Sequence, residues 1–218
     1  MSGRIAVLAS GVGSNAEALA EACEQGRIDG RLCVVASNRP EAAVLARASA
    51  RGLPTLALDH RAYPDRATFD AALHDALANF EPDLVVLAGF MRILSPAFIT
   101  PWRGRLINIH PSLLPRYPGL DTHARALAAG DREAGATVHF VIEALDAGPA
   151  ILQARVPVEV DDNPERLAAR VQEEEHRIYP LAVQACLSGR VRLAGDRAEL
   201  LGRPLPPAGA DPAALAGR

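Results

Sequence analysis

An asparagine and a histidine with one residue between them, Asn108 and His110, offer an amide donor and a titratable imidazole. They follow the apolar pair Leu106-Ile107 and precede a loop with prolines at positions 111, 115 and 118. Side chains alternate between the faces of a β-strand, so both polar groups are expected to leave a buried strand on the same face. The prolines restrict the loop. The pattern predicts fixed polar groups at a strand end, with a hydrogen-bonded core histidine as the alternative.

Asp146 is the third candidate, in the segment Glu143-Ala144-Leu145-Asp146 at a predicted turn between two strands. Aspartate is common in turns for local reasons, which is the alternative to a functional role. If the sheet brings this turn over the strand that carries His110, the carboxylate orients the imidazole and favours its charged form. Amide, imidazolium and carboxylate would then suit acyl transfer through a tetrahedral intermediate. No hydroxyl or thiol stands in a nucleophile-elbow setting, so a substrate is expected to supply the nucleophile.

A glycine-rich segment, Gly11-Val12-Gly13-Ser14-Asn15, separates the first predicted strand from the first predicted helix. Free N–H groups and partial positive charge at a helix N-terminus suit a phosphate, and Ser14 and Asn15 add side-chain donors. A plain helix cap is the alternative. The glycines also fit a loose dinucleotide fingerprint, but the second strand ends in Ser37-Asn38-Arg39 where NAD requires an acidic residue. Arg39 leaves NADP as an alternative that nothing else in the chain supports.

Two further segments have the character of binding surfaces. Glu175 falls on the apolar stripe of a long predicted helix, with Gln172 three residues before it. A carboxylate there needs a partner, either a ligand amine or hydroxyl or an arginine. An apolar loop with one charge, residues 89–94, follows the fourth predicted strand, at the sheet edge where open α/β sheets bind ligands. It suits a flat heterocycle, unless it is the start of a core helix.

The elements that must position these residues begin with an alternation of strands and helices. Strands are predicted at residues 5–9, 32–36, 55–58 and 84–88, and helices at 15–25, 41–51 and 67–80. This alternation predicts an α/β, Rossmann-like fold with a mostly parallel twisted sheet and helices on both faces. The later pattern predicts an antiparallel C-terminal part, from a strand at 105–109, a helix at 122–129 and strands at 136–142 and 151–158. A helix at 164–186, kinked or divided by Pro180, and a hairpin at 191–201 follow.

Composition sets outer bounds on the function. The chain has 218 residues, 49% of them hydrophobic and 4% aromatic, with a formal net charge of −3. These values give no general reason to bind nucleic acid or a membrane. Cys23, Cys33 and Cys186 lack metal-ligand spacing, so we expect reduced thiols in the cytoplasm and no metal site. We find no signal peptide or membrane span, and expect one domain at 1–205 and a disordered tail at 206–218.

Four motifs together resemble the phosphoribosylglycinamide formyltransferases, the folate-dependent enzymes of purine synthesis. In that family's order they are Gly11-x-Gly13-Ser14-Asn15, the 88–94 segment, the run from Asn108 through Pro115, and Gln172-x-x-Glu175-His176. The resemblance covers residues 4–205. It implies the formyltransferase fold and transfer of the formyl group of 10-formyltetrahydrofolate, as co-substrate, to the amino group of phosphoribosylglycinamide.

The resemblance also implies a role for each group of residues. The substrate amine would attack the formyl carbon while Asn108 and protonated His110 stabilise the oxyanion, and Asp146 would support proton removal. Gly13, Ser14, Asn15, Gln172 and Glu175 would hold the phosphate and ribose; Arg66, Met91, Arg92, Ile93, Leu94, Asn108, Val141 and Glu143 would line the folate pocket. Family members often carry histidine where this chain has Asp121, so that position has no assigned role, and His123 is only a weak candidate.

Rival functions follow from the same superfamily. They are a formyltetrahydrofolate deformylase, a methionyl-tRNA formyltransferase, a sugar-nucleotide formyltransferase and a catalytically silent folate-binding protein. The tRNA enzyme is expected to have an added basic domain and the deformylase an added N-terminal domain, and the chain shows neither. The intact Asn108, His110 and Asp146 argue against a silent protein. We expect small-molecule partners, no nucleic acid or membrane partner, and a monomer or weak homodimer.

Overall fold

A computed structural model of the chain describes residues 2–216. Within these residues the main sheet has seven strands in the order β3-β2-β1-β4-β5-β6-β7, and a smaller sheet has three, β10-β9-β8. The strands are β1 Gly3–Leu8, β2 Gly30–Ser37, β3 Thr55–Ala57, β4 Leu84–Leu87, β5 Leu106–His110, β6 Glu133–Phe140, β7 Ala150–Pro157, β8 Val191–Ala194, β9 Arg197–Leu200 and β10 Arg203–Pro204. The helices are α1 Ser14–Glu24, α2 Ala43–Ala50, α3 Arg66–Ala78, α4 Pro96–Ile99, α5 Thr122–Ala128, α6 Pro164–Leu187 and α7 Pro212–Ala216.

Strands β1 to β5 run parallel to one another. β3 is the outer strand at this edge and is largely exposed, whereas β1, β2, β4 and β5 form the buried centre of the sheet. Alternate residues of β1 enter opposite core clusters: Ile5 and Val7 pack in one, Ala6 and Leu8 in the other. Burial on both faces is the reason that these strands read as continuous apolar runs. β6 then pairs antiparallel with both β5 and β7. The predicted α/β fold with an antiparallel C-terminal part is confirmed.

Helix α6 packs across β6 and β7 and also against α1. Its N-terminus is capped by Asn163, whose side chain accepts a hydrogen bond from Arg166 N at 2.8 Å. Pro180 lies inside the helix and is buried, yet the helix runs unbroken from Pro164 to Leu187. Of the two outcomes predicted for this proline, a kink or a division of the helix, the division is therefore wrong. Tertiary packing of the apolar face outweighs the loss of one backbone hydrogen bond.

The C-terminal segment is packed on the domain, contrary to the disorder predicted for residues 206–218. Ala210 N donates to Ile151 O at 2.7 Å, so the segment adds to β7, the outer strand of the sheet. Leu215 of α7 is only 2% exposed. A side chain at Gly209 would collide with the backbone of Ile151, which explains how a small-residue segment approaches so closely. Residues 217 and 218 lie outside the described part. Across residues 2–216, no helix has both the length and the apolar character needed to cross a membrane.

Candidate active site

The centre of the site lies where β5 ends. Ile107 and Ile109 of this strand enter one core cluster, so Asn108 and His110 point to the opposite face. His110 is 6% exposed. Its Nε2 lies 2.9 Å from Tyr117 O, and because a carbonyl only accepts, this nitrogen carries a hydrogen. The imidazole is thereby held by the loop that follows its own strand.

Asp146 lies beside His110, with its Oδ2 3.4 Å from His110 Nδ1. The same carboxylate oxygen accepts a hydrogen bond from Gly119 N at 2.8 Å. Both side chains are nearly buried. His110 thus donates from Nε2 to a backbone carbonyl, while its Nδ1 faces a carboxylate oxygen. The turn and the strand end therefore meet as an imidazole–carboxylate pair.

A second histidine, His139, belongs to this centre, although the sequence analysis gave it no role. His139 stands opposite Asn108 in the β5–β6 register. Its Nδ1 lies 2.9 Å from Phe140 O and so donates, which leaves Nε2 free to accept from Asn108 Nδ2 at 3.2 Å. Burial lowers the pKa of His139, which favours this neutral form. The available signal was the alternation of Thr137 and His139 in an otherwise apolar strand.

The proline-containing loop after β5 is tied to the antiparallel strands by buried hydrogen bonds. Leu114 N donates to Thr137 Oγ1 at 3.0 Å, and that hydroxyl donates to Ser112 O at 2.6 Å. Gln153 Nε2 donates to Leu114 O at 2.8 Å. These contacts fix the path of the chain toward Tyr117 and Gly119, whose backbone groups contact His110 and Asp146.

Asp121 and His123, to which the sequence gave no firm role, lie at the start of α5. Asp121 is the N-terminal flanking residue of the helix, in the left-handed conformation, and its side chain makes no capping hydrogen bond. Burial, and secondarily the nearby His110, lower the pKa of His123. His123 is therefore favoured in its neutral form.

The 11–15 loop and α6 form a second group of polar residues. Gly13 has φ 86°, and a Cβ there would lie 2.3 Å from Val44 Cγ2, so only glycine fits. Gly13, rather than Ser14 or Asn15, occupies the helix cap. Asn15 Nδ2 donates to Glu175 Oε2 at 2.7 Å, and Gln172 Nε2 donates to Ser14 Oγ at 3.0 Å. The partner of the buried carboxylate is thus an amide, and all five predicted residues lie together.

Glu175 is expected to lower the stability of the fold at neutral pH. Burial raises its pKa above the ordinary value of 4.5, and the Asn15 hydrogen bond opposes this only in part. The stability linked to this group is therefore fully present below its ordinary pKa and is lost as the pH rises through the raised folded pKa. We expect Glu175→Gln to increase the free energy of unfolding at pH 7, with a gain that shrinks toward pH 4, measured by urea denaturation.

The control for this prediction is Glu173→Gln, which changes an exposed carboxylate on the same helix. It is expected to leave the free energy of unfolding within about 0.5 kcal/mol of the wild type at both pH values. A loss of stability at pH 7 in Glu175→Gln would contradict the assignment of an unfavourable buried charge.

The 89–94 loop is irregular and is not the start of a core helix, since α4 begins only at Pro96. Met91 and Ile93 are 60% and 51% exposed, whereas Leu94 is buried. The guanidinium of Arg92 lies 4.9 Å from the centre of the Phe69 ring of α3. Val141 packs at the edge of the same core cluster as Leu94. The loop therefore presents apolar side chains and backbone groups to solvent.

Of the remaining predicted folate-pocket residues, Arg66 is exposed at the first position of α3, and Glu143 is also exposed, three residues before Asp146. Among residues 2–216 no group of His, Cys, Asp or Glu side chains is arranged to hold a metal ion.

Comparison with known proteins identifies the class to which this fold and site belong. The sequence model described as formyl transferase matches residues 3–183, so the chain belongs to the formyl transferase family. Within it, the chain is 49% identical over 205 residues to the phosphoribosylglycinamide formyltransferase of Escherichia coli K12, covering 94% of this chain and 97% of that protein.

Solved structures show the same likeness. The phosphoribosylglycinamide formyltransferase of Coxiella burnetii has a TM-score of 0.92 and 44% identity, covering 96% of this chain and 98% of that chain. A glycinamide ribonucleotide transformylase from Symbiobacterium toebii has a TM-score of 0.88 and 47% identity, covering 91% of this chain and 93% of that chain. The family recognised from the sequence motifs is confirmed.

Proposed function

We propose that the protein transfers the formyl group of 10-formyltetrahydrofolate to the amino group of 5-phosphoribosylglycinamide, a step of purine synthesis. The observation that carries the proposal is the Asp146–His110 pair beside Asn108, in a chain of the formyl transferase family. The products of this transfer are formyl-phosphoribosylglycinamide and tetrahydrofolate.

The central groups suit each step of the transfer. As the amine nitrogen attacks the formyl carbon, the carbonyl oxygen gains negative charge. Asn108 Nδ2 has one hydrogen engaged with His139 and a second for this oxygen, and the His110 imidazolium supplies a further donor. The folate nitrogen gains a proton from His110 as its bond to the formyl carbon breaks, and the neutral imidazole then takes up the proton that the attacking nitrogen loses. Asp146 lies beside the ring and stabilises its charged form.

The amine substrate would bind between the 11–15 loop and α6. Backbone N–H groups at the start of α1 point to a phosphate, assisted by Gly13, which allows the tight turn, and by the side chains of Ser14 and Asn15. Glu175 and Gln172, which already bond to this loop, would accept and donate hydrogen bonds at the ribose. This divides the site into an anionic-ligand end and a transfer centre.

The formyl-folate donor would bind against the 89–94 loop. Met91, Arg92, Ile93 and Leu94 line one wall, Val141, Glu143 and Asn108 lie toward the transfer centre, and Arg66 offers positive charge for the donor's carboxylates. The exposed apolar side chains of Met91 and Ile93 support a flat ring at this wall. No metal takes part in the proposed transfer.

The setting of the enzyme is part of the same proposal. We place it in the cytoplasm as a monomer or weak homodimer with a single domain, acting on small molecules. The thiols of Cys23, Cys33 and Cys186 are free, which supports a reducing compartment.

Direct assay tests the function. Purified protein with both substrates is expected to form one tetrahydrofolate for each formylated amine, followed by absorbance and mass spectrometry. Glycinamide, which lacks the phosphate and ribose, is the matched control and is expected to react far more slowly. Loss of the formyl group without any amine would instead indicate a deformylase, and binding of the folate without turnover would indicate a silent protein.

A further inference from the structure

A buried serine connects two parts of the site that the reaction itself does not join. Ser10 follows β1 and immediately precedes the 11–15 loop. Its hydroxyl accepts a hydrogen bond from Met91 N at 2.8 Å and donates one to Asn38 Oδ1 at 2.5 Å. Its own N–H donates to Gly89 O at 3.0 Å. Ser10 is 3% exposed, so these groups depend on one another and not on water.

Asn38 is in turn held at the end of β2. It is 2% exposed, and its carbonyl oxygen lies 2.8 Å from His60 Nδ1. Because the carbonyl only accepts, His60 Nδ1 carries the hydrogen. The 3.3 Å approach of Asn38 Nδ2 to the same nitrogen is then not a hydrogen bond. In the structure the Asn38 amide oxygen faces Ser10 and accepts its hydroxyl hydrogen. The serine hydrogen therefore points away from Met91, and a lone pair of the hydroxyl oxygen accepts the Met91 N–H.

The far end of the 89–94 loop is fixed in a similar way. Ser95 N, just after the loop, donates to Asp70 Oδ2 at 2.6 Å, and Asp70 is fully buried on α3. Backbone N–H groups at both ends of the loop are thus bonded to buried side chains. The buried side chains of Ser10 and Asp70 thus fix the conformation of the loop, while the side chains of Met91 and Ile93 are exposed to solvent.

We propose that Ser10 is a positioning residue for the formyl-folate donor: together with Asn38, it fixes the backbone of the 89–94 loop at Met91. This inference rests on the proposed function. It adds a role in donor binding for two residues that lie beneath the binding surface and touch no substrate. In the sequence alone, Asn38 stands out only within the Ser37-Asn38-Arg39 segment, at the end of the second predicted strand.

The test compares Ser10→Ala with Ser37→Ala. Ser37 is also a buried serine at a strand end whose hydroxyl accepts a backbone N–H, that of Arg39 at 3.1 Å. We expect Ser10→Ala to raise the KM for 10-formyltetrahydrofolate about five- to tenfold, the effect of one lost buried hydrogen bond. The KM for phosphoribosylglycinamide and kcat are expected to stay within about twofold, whereas Ser37→Ala should change none of the three. Ser10→Thr, which keeps the hydroxyl, should restore the KM.

Amide hydrogen exchange of the ligand-free protein provides a readout that does not depend on turnover. Exchange at Met91 is expected to accelerate in Ser10→Ala and not in Ser37→Ala. If the wild type is active, and Ser10→Ala changes neither the KM for 10-formyltetrahydrofolate nor the exchange at Met91, the positioning role is overturned and the proposed function is not. An equal rise of both substrate KM values would overturn it too, because that indicates general loosening. A wild type without formyl transfer would overturn the proposed function and the donor's role with it.

Discussion

Replacing His110 by alanine is expected to lower the turnover of formyl transfer by about 10³-fold, since it removes a proton donor and an oxyanion-stabilising charge together. Formyl-folate should still bind, because the 89–94 loop is fixed by Ser10 and Asp70 and not by His110. Single-turnover rates and the equilibrium dissociation constant of a folate analogue measure the two effects separately.

The matched control is His74→Ala, which removes a histidine of α3. The centre of its ring lies 5.4 Å from the centre of the Trp102 ring. It is expected to retain turnover within about twofold, corrected for the folded fraction. Thermal unfolding shows whether either variant has lost its fold. Full turnover in a folded His110→Ala protein would reject the catalytic assignment.

Replacing Asp146 by asparagine is expected to lower turnover by about 10²- to 10³-fold, because the neutral amide no longer stabilises the charged imidazole. The fold should survive. Asp146 has φ 50°, a left-handed conformation that asparagine tolerates better than most residues with a side chain, and the amide oxygen still accepts from Gly119 N. Asp146→Ala should lose about 1 kcal/mol of stability in addition, which denaturant unfolding measures.

Glu81→Gln is the control for this change. Glu81 also has a left-handed backbone, with φ 44°, and pairs with Arg4 far from the transfer centre. The substitution neutralises an acid in the same backbone setting and should leave turnover unchanged. An Asp146→Asn protein that turns over as fast as Glu81→Gln would show that the charge of Asp146 plays no part.

The parallel half of the fold could be predicted from the sequence because its central strands are buried on both faces and so form short apolar runs between helices. The same alternation placed Asn108 and His110 on one face. Asp146 was a candidate from its place in a turn, on the condition that this turn folds back over the strand that carries His110. The structure supplies that condition, since β6 returns antiparallel beside β5.

Other features required tertiary information. The role of His139 depends on the β5–β6 register, which aligns it with Asn108, and nothing local to β6 encodes that pairing. The C-terminal segment has the composition of a disordered tail, but the outer strand β7 provides hydrogen-bond partners at Ile151. Pro180 disfavours a helix locally, while burial of its surroundings in α6 decides otherwise.

The central claim is that His110 and Asp146 act as one unit, and the turnover of the double variant His110→Ala/Asp146→Asn tests it most directly. Residues that act as a unit give non-additive losses. With the imidazole absent, the carboxylate has no charge to stabilise, so the double variant should turn over within about threefold of His110→Ala. Losses that multiply, giving a double variant slower than His110→Ala by the full factor of Asp146→Asn, would contradict the account.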